Sequence, residues 1–417
     1  GWIVGMLLLL TTQGLAQDRI GRFAQFKATL AHEEELRSER IDRYAQQNPD
    51  QKTINLGNGE KGYLYDVING KPVYMAVDNS EAATNMGAAS MWRGGRLGID
   101  LTGAGLRLYV WDGPGGARAT HQEFGGRITL GSDFEGGGAS NHGTHVTGSV
   151  LSGGVEDPNA RGMAYEANGV VFDFNNDLTE MTQELANNRE TMILSNHSYG
   201  PPSGWQFIDN EWEWFGDENI STREDWKFGF YNSQARSYDE LVYDAPYYLI
   251  VKSAGNHRSD VGDGVEGSAP PDGPYDAIPF FGVAKNIVTE AAVGKLNTAD
   301  GLYTGPEDVN VTSFSSFGPA DDGRIKPDIA APGLQVYSTW ANADDSYANL
   351  QGTSMSTPLV MGTLALIQDL NKLINGGFLT AAQLKGLMIH HAHEAGITDG
   401  PDYIHGWGLI NGDGMAN

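Results

Sequence analysis

Short runs of β-branched, aliphatic and aromatic residues recur along the middle of the chain, separated by segments with helical spacing. The runs are LRLYVW (106–111), VVFDF (170–174), MILSNHSY (192–199), YYLIVKSA (247–254) and FFGVA (280–284). Runs this apolar are typical of strands buried on both faces. Their alternation with helices predicts an α/β fold with a parallel, doubly wound sheet, whose binding site lies at the carboxyl ends of the strands.

The length of 417 residues suits one large domain with a small appendage. Residues 18–78 begin with a charged, helix-favouring stretch and continue with strand-like runs, which predicts a separate small α+β segment. Residues 79–417 then form the α/β domain. Residues 200–245 are rich in Trp and acidic residues and are interpreted as a surface insertion, with a helix near 223–243. Its tryptophans could cap the sheet or line a groove.

Residues 1–17 contain an apolar stretch followed by polar and small residues, which is typical of a signal peptide. The apolar stretch is too short for a bilayer core of about 30 Å, which needs roughly 20 residues. A buried core helix is the alternative, because a basic start and an initiator Met are missing. The missing Met also suggests that the sequence is a fragment. We therefore expect a secreted protein, extracellular or at the cell surface, with no membrane span.

Composition excludes several classes of function. The chain has no cysteine, which excludes a disulfide scaffold, a zinc–thiolate site and a cysteine nucleophile. Its formal charge of −26, with no basic run, argues against nucleic acid as a partner. We expect a monomer whose partners are proteins or peptides.

Three local sequences together suggest nucleophilic catalysis: VWDG around Asp112, NHGTHVTGS around His142 and QGTSMSTP around Ser354. Each alone has a structural explanation, such as a helix cap or a satisfied polar residue. Jointly they supply what hydrolysis by serine needs. These are a hydroxyl, an imidazole that takes its proton, and a carboxylate that holds the imidazole tautomer.

The order Asp, His, Ser is the subtilisin order. The segments HGTHVTG, KSAGN, KPDIAAPG and GTSMSTP resemble the signatures of the subtilisin-like (S8) peptidases over residues 79–417. The resemblance implies a three-layer α/β/α fold and endopeptidase activity. In it, Ser354 is the nucleophile, His142 the general base and acid, and Asp112 the residue that orients His142. Residues 18–78 differ in composition, follow the predicted signal peptide and precede the first strand of the resemblance, which predicts a propeptide that the enzyme removes itself. A permanent N-terminal cap is the alternative.

The same resemblance implies further site residues. Asn256 matches the side chain that completes the oxyanion hole with the Ser354 backbone N–H. An extended substrate would pair with the strand at residues 198–200. The implied substrate-binding residues are Ser198, Tyr199, Gly200, Ser253, Ala254 and Gly255. The neighbouring Ser356 and His145 are interpreted as structural.

The sequence departs from the family pattern in two places. Gly113 and Pro114 follow the acid where the family has a hydroxyl residue, so a supporting hydroxyl for Asp112 is in doubt. The loop at residues 153–162 is short and lacks an Asn-rich calcium turn. No cofactor is expected for catalysis. A structural calcium ion is possible at the acidic pairs 217–218 or 344–345, but its site is not located.

Two alternatives accompany this interpretation. One is a catalytically silent protein with the same fold that serves as a binding or carrier module at the cell surface. The other is the acidic sedolisin branch, in which Glu replaces the base. The presence of His142 argues against this branch and predicts that activity is highest at neutral to alkaline pH. The preference for the P1 side chain stays open, because part of the pocket wall falls in the irregular residues 258–276.

Overall fold

A computed structural model describes residues 36, 39–51, 53–57, 60–68, 71–76, 79–131, 138–201, 203–208, 211–221, 224–260, 262 and 274–417. The predicted signal peptide at residues 1–17 lies outside the described residues. The chain divides into two compact units, Gly1–Val77 and Asp78–Asn417.

The first unit contains helix and antiparallel sheet. Residues 39–47 are helical, and a 3-10 turn follows at Pro49–Gln51. Strands β1 (Thr53–Gly57), β2 (Glu60–Ile68) and β3 (Lys71–Ala76) form a sheet with β2 in the centre.

The second unit alternates strands with helices. Its strands are β4 (Arg107–Asp112), β5 (Ile128–Leu130), β6 (Asn168–Asp173), β7 (Leu194–His197), β8 (Trp205–Ile208), β9 (Glu211–Trp214), β10 (Leu249–Ser253), β11 (Val288–Val293), β12 (Ile329–Pro332), β13 (Val336–Thr339) and β14 (Tyr347–Leu350). Its helices are α1 (Asn79–Asn85), α2 (Ala88–Met91), α3 (Asn141–Leu151), α4 (Asp177–Asn188), α5 (Ser233–Asp244), α6 (Thr353–Asn375), α7 (Ala381–His391) and α8 (Gly412–Ala416). None of the described helices is both long and apolar enough to cross a membrane.

Seven strands form one central sheet in the order β12-β11-β10-β7-β4-β6-β5, and every pairing in it is parallel. This confirms the predicted α/β fold. The order reverses direction around β4 and β7, which places a crevice at their carboxyl ends.

Side chains of the central strands alternate between two cores. On β4, Leu108 and Val110 pack in the cluster that contains α3 and α6. Tyr109 and Trp111 pack on the opposite face with residues of α4 and α5. Burial on both faces explains why the strand sequences read as continuous apolar runs.

Two sequence-based element assignments are wrong. The run at Phe280–Val283 is a 3-10 helix, and β11 is the strand that enters the sheet instead. Phe281 stacks on Tyr238 at 4.1 Å between ring centroids, so this run is apolar because it covers α5. The insertion helix begins at Ser233 rather than near residue 223, because Asn232 caps it by accepting from the Ala235 N–H.

Candidate active site

Asp112 ends β4 at the carboxyl edge of the sheet, and its side chain is fully buried. Its Oδ1 accepts from the Gly113 N–H at 2.7 Å and lies 2.6 Å from His142 Nδ1. Its Oδ2 is buried and has no hydrogen-bond partner among the described residues. Among the residues that the structure describes, no hydroxyl supports this oxygen, in line with the Gly113 that follows the acid.

His142 lies in the first turn of α3, whose start is fixed by Ser140 accepting from the Gly143 N–H. The turn needs glycine at 143, since a Cβ there would lie 2.9 Å from the Gly116 carbonyl oxygen. Burial lowers the pKa of His142, but the charge of Asp112 and the hydrogen bond to it outweigh burial and raise the pKa overall. The contact with Asp112 also fixes the proton on Nδ1, which leaves Nε2 free to act as a base.

Ser354 lies in the first turn of α6, a helix that packs against α3 and against the central strands. Its Oγ donates to the Ser198 carbonyl at 3.1 Å, and the Ser198 Oγ donates in return to the Ser354 carbonyl at 3.0 Å. Within the described part of the chain, no hydrogen bond joins Ser354 Oγ to His142. Catalytic hydrogen bonds often tighten only when substrate binds.

Asn256 follows β10 and faces the start of α6. Its Oδ1 accepts from the Thr353 N–H at 2.9 Å and from Thr353 Oγ1 at 3.1 Å. A Cβ built on Gly352 would lie 3.3 Å from Asn256 Nδ2 and 3.6 Å from the Ser354 nitrogen. The side-chain amide and the helix N–H therefore border one small space, which is the arrangement that stabilises an oxyanion.

A cavity of about 320 Å³ opens beside Ser354 and Asn256. It is lined by five of the six predicted substrate-binding residues, namely Ser198, Tyr199, Gly200, Ser253 and Gly255. The sixth, Ala254, is fully buried in the aromatic core and does not line the cavity. Lys252, Gln206 and Asp260 also line it. Asp260 lies in residues 258–276, where part of the pocket wall was expected, whereas Lys252 and Gln206 were not predicted to line the site.

The residues interpreted as structural are buried away from the cavity. Ser356 Oγ donates to the Thr353 carbonyl at 3.1 Å, and His145 Nε2 lies 2.9 Å from the Val336 carbonyl oxygen. Burial lowers the pKa of His145 to about 3, so its ring is neutral.

Glu290 is a buried residue that the sequence did not single out. It lies in the middle of β11, and its Oε1 accepts from Thr357 Oγ1 in the first turns of α6. Burial raises the pKa of Glu290 well above its usual value, which favours the neutral carboxyl. A glutamate in the centre of an apolar strand was the feature of the sequence that could have identified it.

In each of the two acidic pairs considered as calcium sites, one carboxylate accepts hydrogen bonds from protein groups. Asp344 bonds to Arg118 and Thr120, and Asp217 accepts from the backbone and side chain of Asn219. No cluster of three or more His, Cys, Asp or Glu side chains arranged for a metal occurs among the residues that the structure describes.

Residues 129–408 match the model of the subtilase family. The chain is 24% identical over 370 residues to the serine protease/ABC transporter B family protein tagB of Dictyostelium discoideum, covering 64% of this chain and 18% of that protein. It is 28% identical over 267 residues to alkaline protease 1 of Emericella nidulans, covering 63% of this chain and 52% of the relative. This chain therefore spans about half or less of the length of these relatives.

Among solved structures, the CspB protease of Clostridium perfringens matches with a TM-score of 0.60 and 16% identity. The match covers 80% of this chain and 98% of that one. At this identity the likeness shows the fold alone.

Proposed function

Because this chain belongs to the subtilase family, we propose that it is a serine endopeptidase that hydrolyses peptide bonds of proteins through an acyl-enzyme on Ser354. The observation that supports the proposal is the placement of two pairs at the carboxyl edge of one parallel sheet. The Asp112–His142 pair lies at the end of β4. Ser354 bonds to Ser198 just after the neighbouring strand β7, and Ser354 and Asn256 line one cavity.

In the proposed reaction, substrate binding releases the Ser354 hydroxyl from the Ser198 carbonyl, and the hydroxyl then donates to His142 Nε2. His142 takes the proton as Ser354 Oγ bonds to the scissile carbonyl carbon. Asp112 keeps the ring oriented and stabilises the imidazolium.

The carbonyl oxygen becomes an oxyanion between Asn256 Nδ2 and the Ser354 N–H. His142 returns its proton to the leaving amine as the C–N bond breaks, and water repeats the sequence to release the acid. The dipole of α6, a helix 23 residues long, favours negative charge at this end.

We further propose that residues 18–78 act as a propeptide that the enzyme removes itself, and that the protein is secreted as a monomer. The division of the chain between Val77 and Asp78 supports a separate N-terminal unit.

The test compares Ser354→Ala with Ser356→Ala in casein hydrolysis at mildly alkaline pH. Ser354→Ala should abolish hydrolysis, and Ser356→Ala should keep most of it, because the Ser356 hydroxyl bonds within the helix. Phenylmethylsulfonyl fluoride should inactivate the wild type and label Ser354. A folded wild type that neither cleaves nor becomes labelled would indicate the silent binding module instead.

A further inference from the structure

Lys252 is a buried cation beside the proposed catalytic residues. It lies on β10 and is only 4% exposed. Its Nζ donates to the Ser253 carbonyl at 2.8 Å and to Ser253 Oγ at 2.7 Å. An ammonium group has three N–H donors, so one of them is left for another acceptor.

Two other buried lysines provide an internal comparison. Lys227 Nζ lies 2.7 Å from Asp225, and Lys326 Nζ lies 2.6 Å from Asp328. Within the described part of the chain, Lys252 has no carboxylate oxygen within 4 Å. A buried charge without a counter-ion is costly, and such groups are normally paired. An anion that arrives with a ligand would supply this partner.

The ammonium group of Lys252 faces the cavity that Ser354 borders. Lys252 lines this cavity, and a Cβ built on Gly200 would lie 4.0 Å from Nζ. The rings of Tyr199 and Phe281 flank Nζ, with centroids at 6.0 and 5.2 Å. The P1 residue of a substrate carries the carbonyl group that Ser354 attacks. Its Cα is bonded to that carbonyl carbon, so its side chain enters the cavity beside Ser354.

We propose that Lys252 is a specificity-determining residue that selects substrates with an acidic P1 side chain, glutamate or aspartate. This inference rests on the proposed function. The entering carboxylate would accept the remaining N–H of Lys252 and supply the counter-ion that the folded chain lacks. Ser253 Oγ, already bonded to Lys252, holds the ammonium group in place. The ring of Tyr199, which lines the cavity, would contact the methylene groups of the same side chain.

The ionisable groups around Lys252 do not prevent a substrate carboxylate from binding there. Burial lowers the pKa of Lys252 to about 7, and the negative charges of Asp112 and Asp177 oppose this shift. Burial raises the pKa of Glu290 and so favours its neutral form, and burial lowers the pKa of His257 to about 4. Asp260 is the carboxylate among the described lining residues, and burial raises its pKa to about 6. A bound carboxylate would itself favour the charged form of Lys252.

The test measures kcat/KM for peptides that differ only at P1, with Glu, Gln, Asp or Leu. Glutamate and glutamine have the same shape, so their ratio isolates the charge. The wild type should prefer Glu over Gln roughly 10-fold to 100-fold, the range expected when a charged hydrogen bond replaces a neutral one. Lys252→Met should reduce the ratio to about one or below. The matched control Lys372→Met removes the same charge from an exposed site on α6 and should keep the wild-type ratio.

Labelling of Ser354 by an uncharged fluorophosphonate reports whether each variant is folded and active. An unchanged ratio in a labelled Lys252→Met, or a wild-type ratio of one or less, overturns the inference and leaves the peptidase proposal standing. If Lys252→Met does not fold, the Glu-to-Gln ratio of kcat/KM in the wild type tests the inference by itself. If the wild type hydrolyses none of the peptides and is not labelled, the proposed function is refuted, and this inference with it.

Discussion

Replacing Gly352 with alanine tests the proposed oxyanion hole by filling it. Gly352 precedes α6 with φ 146° and ψ 163°, a conformation that is essentially restricted to glycine. The new methyl carbon would lie 3.3 Å from Asn256 Nδ2 and 3.6 Å from the Ser354 nitrogen. An oxyanion must approach these same donors to about 2.7–3.1 Å, so the methyl group and the oxyanion cannot occupy the space together.

The expected loss has two parts. Backbone strain at this position lowers the free energy of unfolding by about 1–3 kcal/mol. Loss of a single oxyanion-hole donor is known from a subtilisin to reduce kcat by about 10²–10³, and we adopt that known figure as the lower limit here. The methyl group obstructs both donors, whereas Asn256→Ala removes only one. Gly352→Ala should therefore be at least as slow as Asn256→Ala, with little change in KM.

Gly376→Ala provides the matched control at the other end of the same helix. Gly376 also has a positive φ, 75°, but a Cβ there would have no heavy atom within 4 Å. This variant should lose about 1–2 kcal/mol of stability through backbone strain alone and keep its kcat.

The assay is kcat and KM on a chromogenic peptide for the three variants, with thermal unfolding measured in parallel. A Gly352→Ala protein that is folded and retains a wild-type kcat would refute the reasoning. The oxyanion would then have to form somewhere other than between Asn256 and Ser354.

Two further predictions concern the pH dependence and the processing of the chain. Neutral His142 is the active form, and its raised pKa sets the acidic limb of kcat/KM. Asp112→Asn removes the charge that raises this pKa while burial still lowers it, so the limb should move to lower pH as the rate falls by about 10⁴. An acidic limb that stays in place would contradict the Asp112–His142 coupling. Residues 18–77 should be absent from the secreted wild type and present in Ser354→Ala, as read from the mature N-terminus by mass spectrometry. Equal trimming of a purified Ser354→Ala protein would exclude self-processing.

The central sheet was predictable because its strands are buried on both faces. β4, β6, β7 and β10 each coincide with an apolar run, to within a few residues at their ends. The run at 280–284 misled because it is buried for another reason, the packing of Phe281 on Tyr238. A short apolar run indicates that its residues are buried, but it does not distinguish a strand from a 3-10 turn that packs on a helix.

The proposed site was predictable where a motif carries the chemistry, and not where side-chain direction decides. Asp112, bonded to His142, ends β4 at the carboxyl edge of the sheet. Ser354 bonds to Ser198 just after β7, and Asn256 follows β10 at the same edge. Ala254 packs in the aromatic core, although its neighbours Ser253 and Gly255 line the cavity. Lys252 was passed over as part of an apolar strand, although a charged residue there needs an explanation.

The position of α6 after all seven strands of the central sheet has a consequence for synthesis. Asp112 and His142 emerge from the ribosome early, and the strands that flank them follow, but Ser354 arrives only with α6. This helix is also the element that fills the core between α3 and the sheet. A nascent chain that ends before α6 has neither a nucleophile nor a complete core. Under the proposed function, a newly made molecule is therefore harmless to its neighbours until α6 has been synthesised.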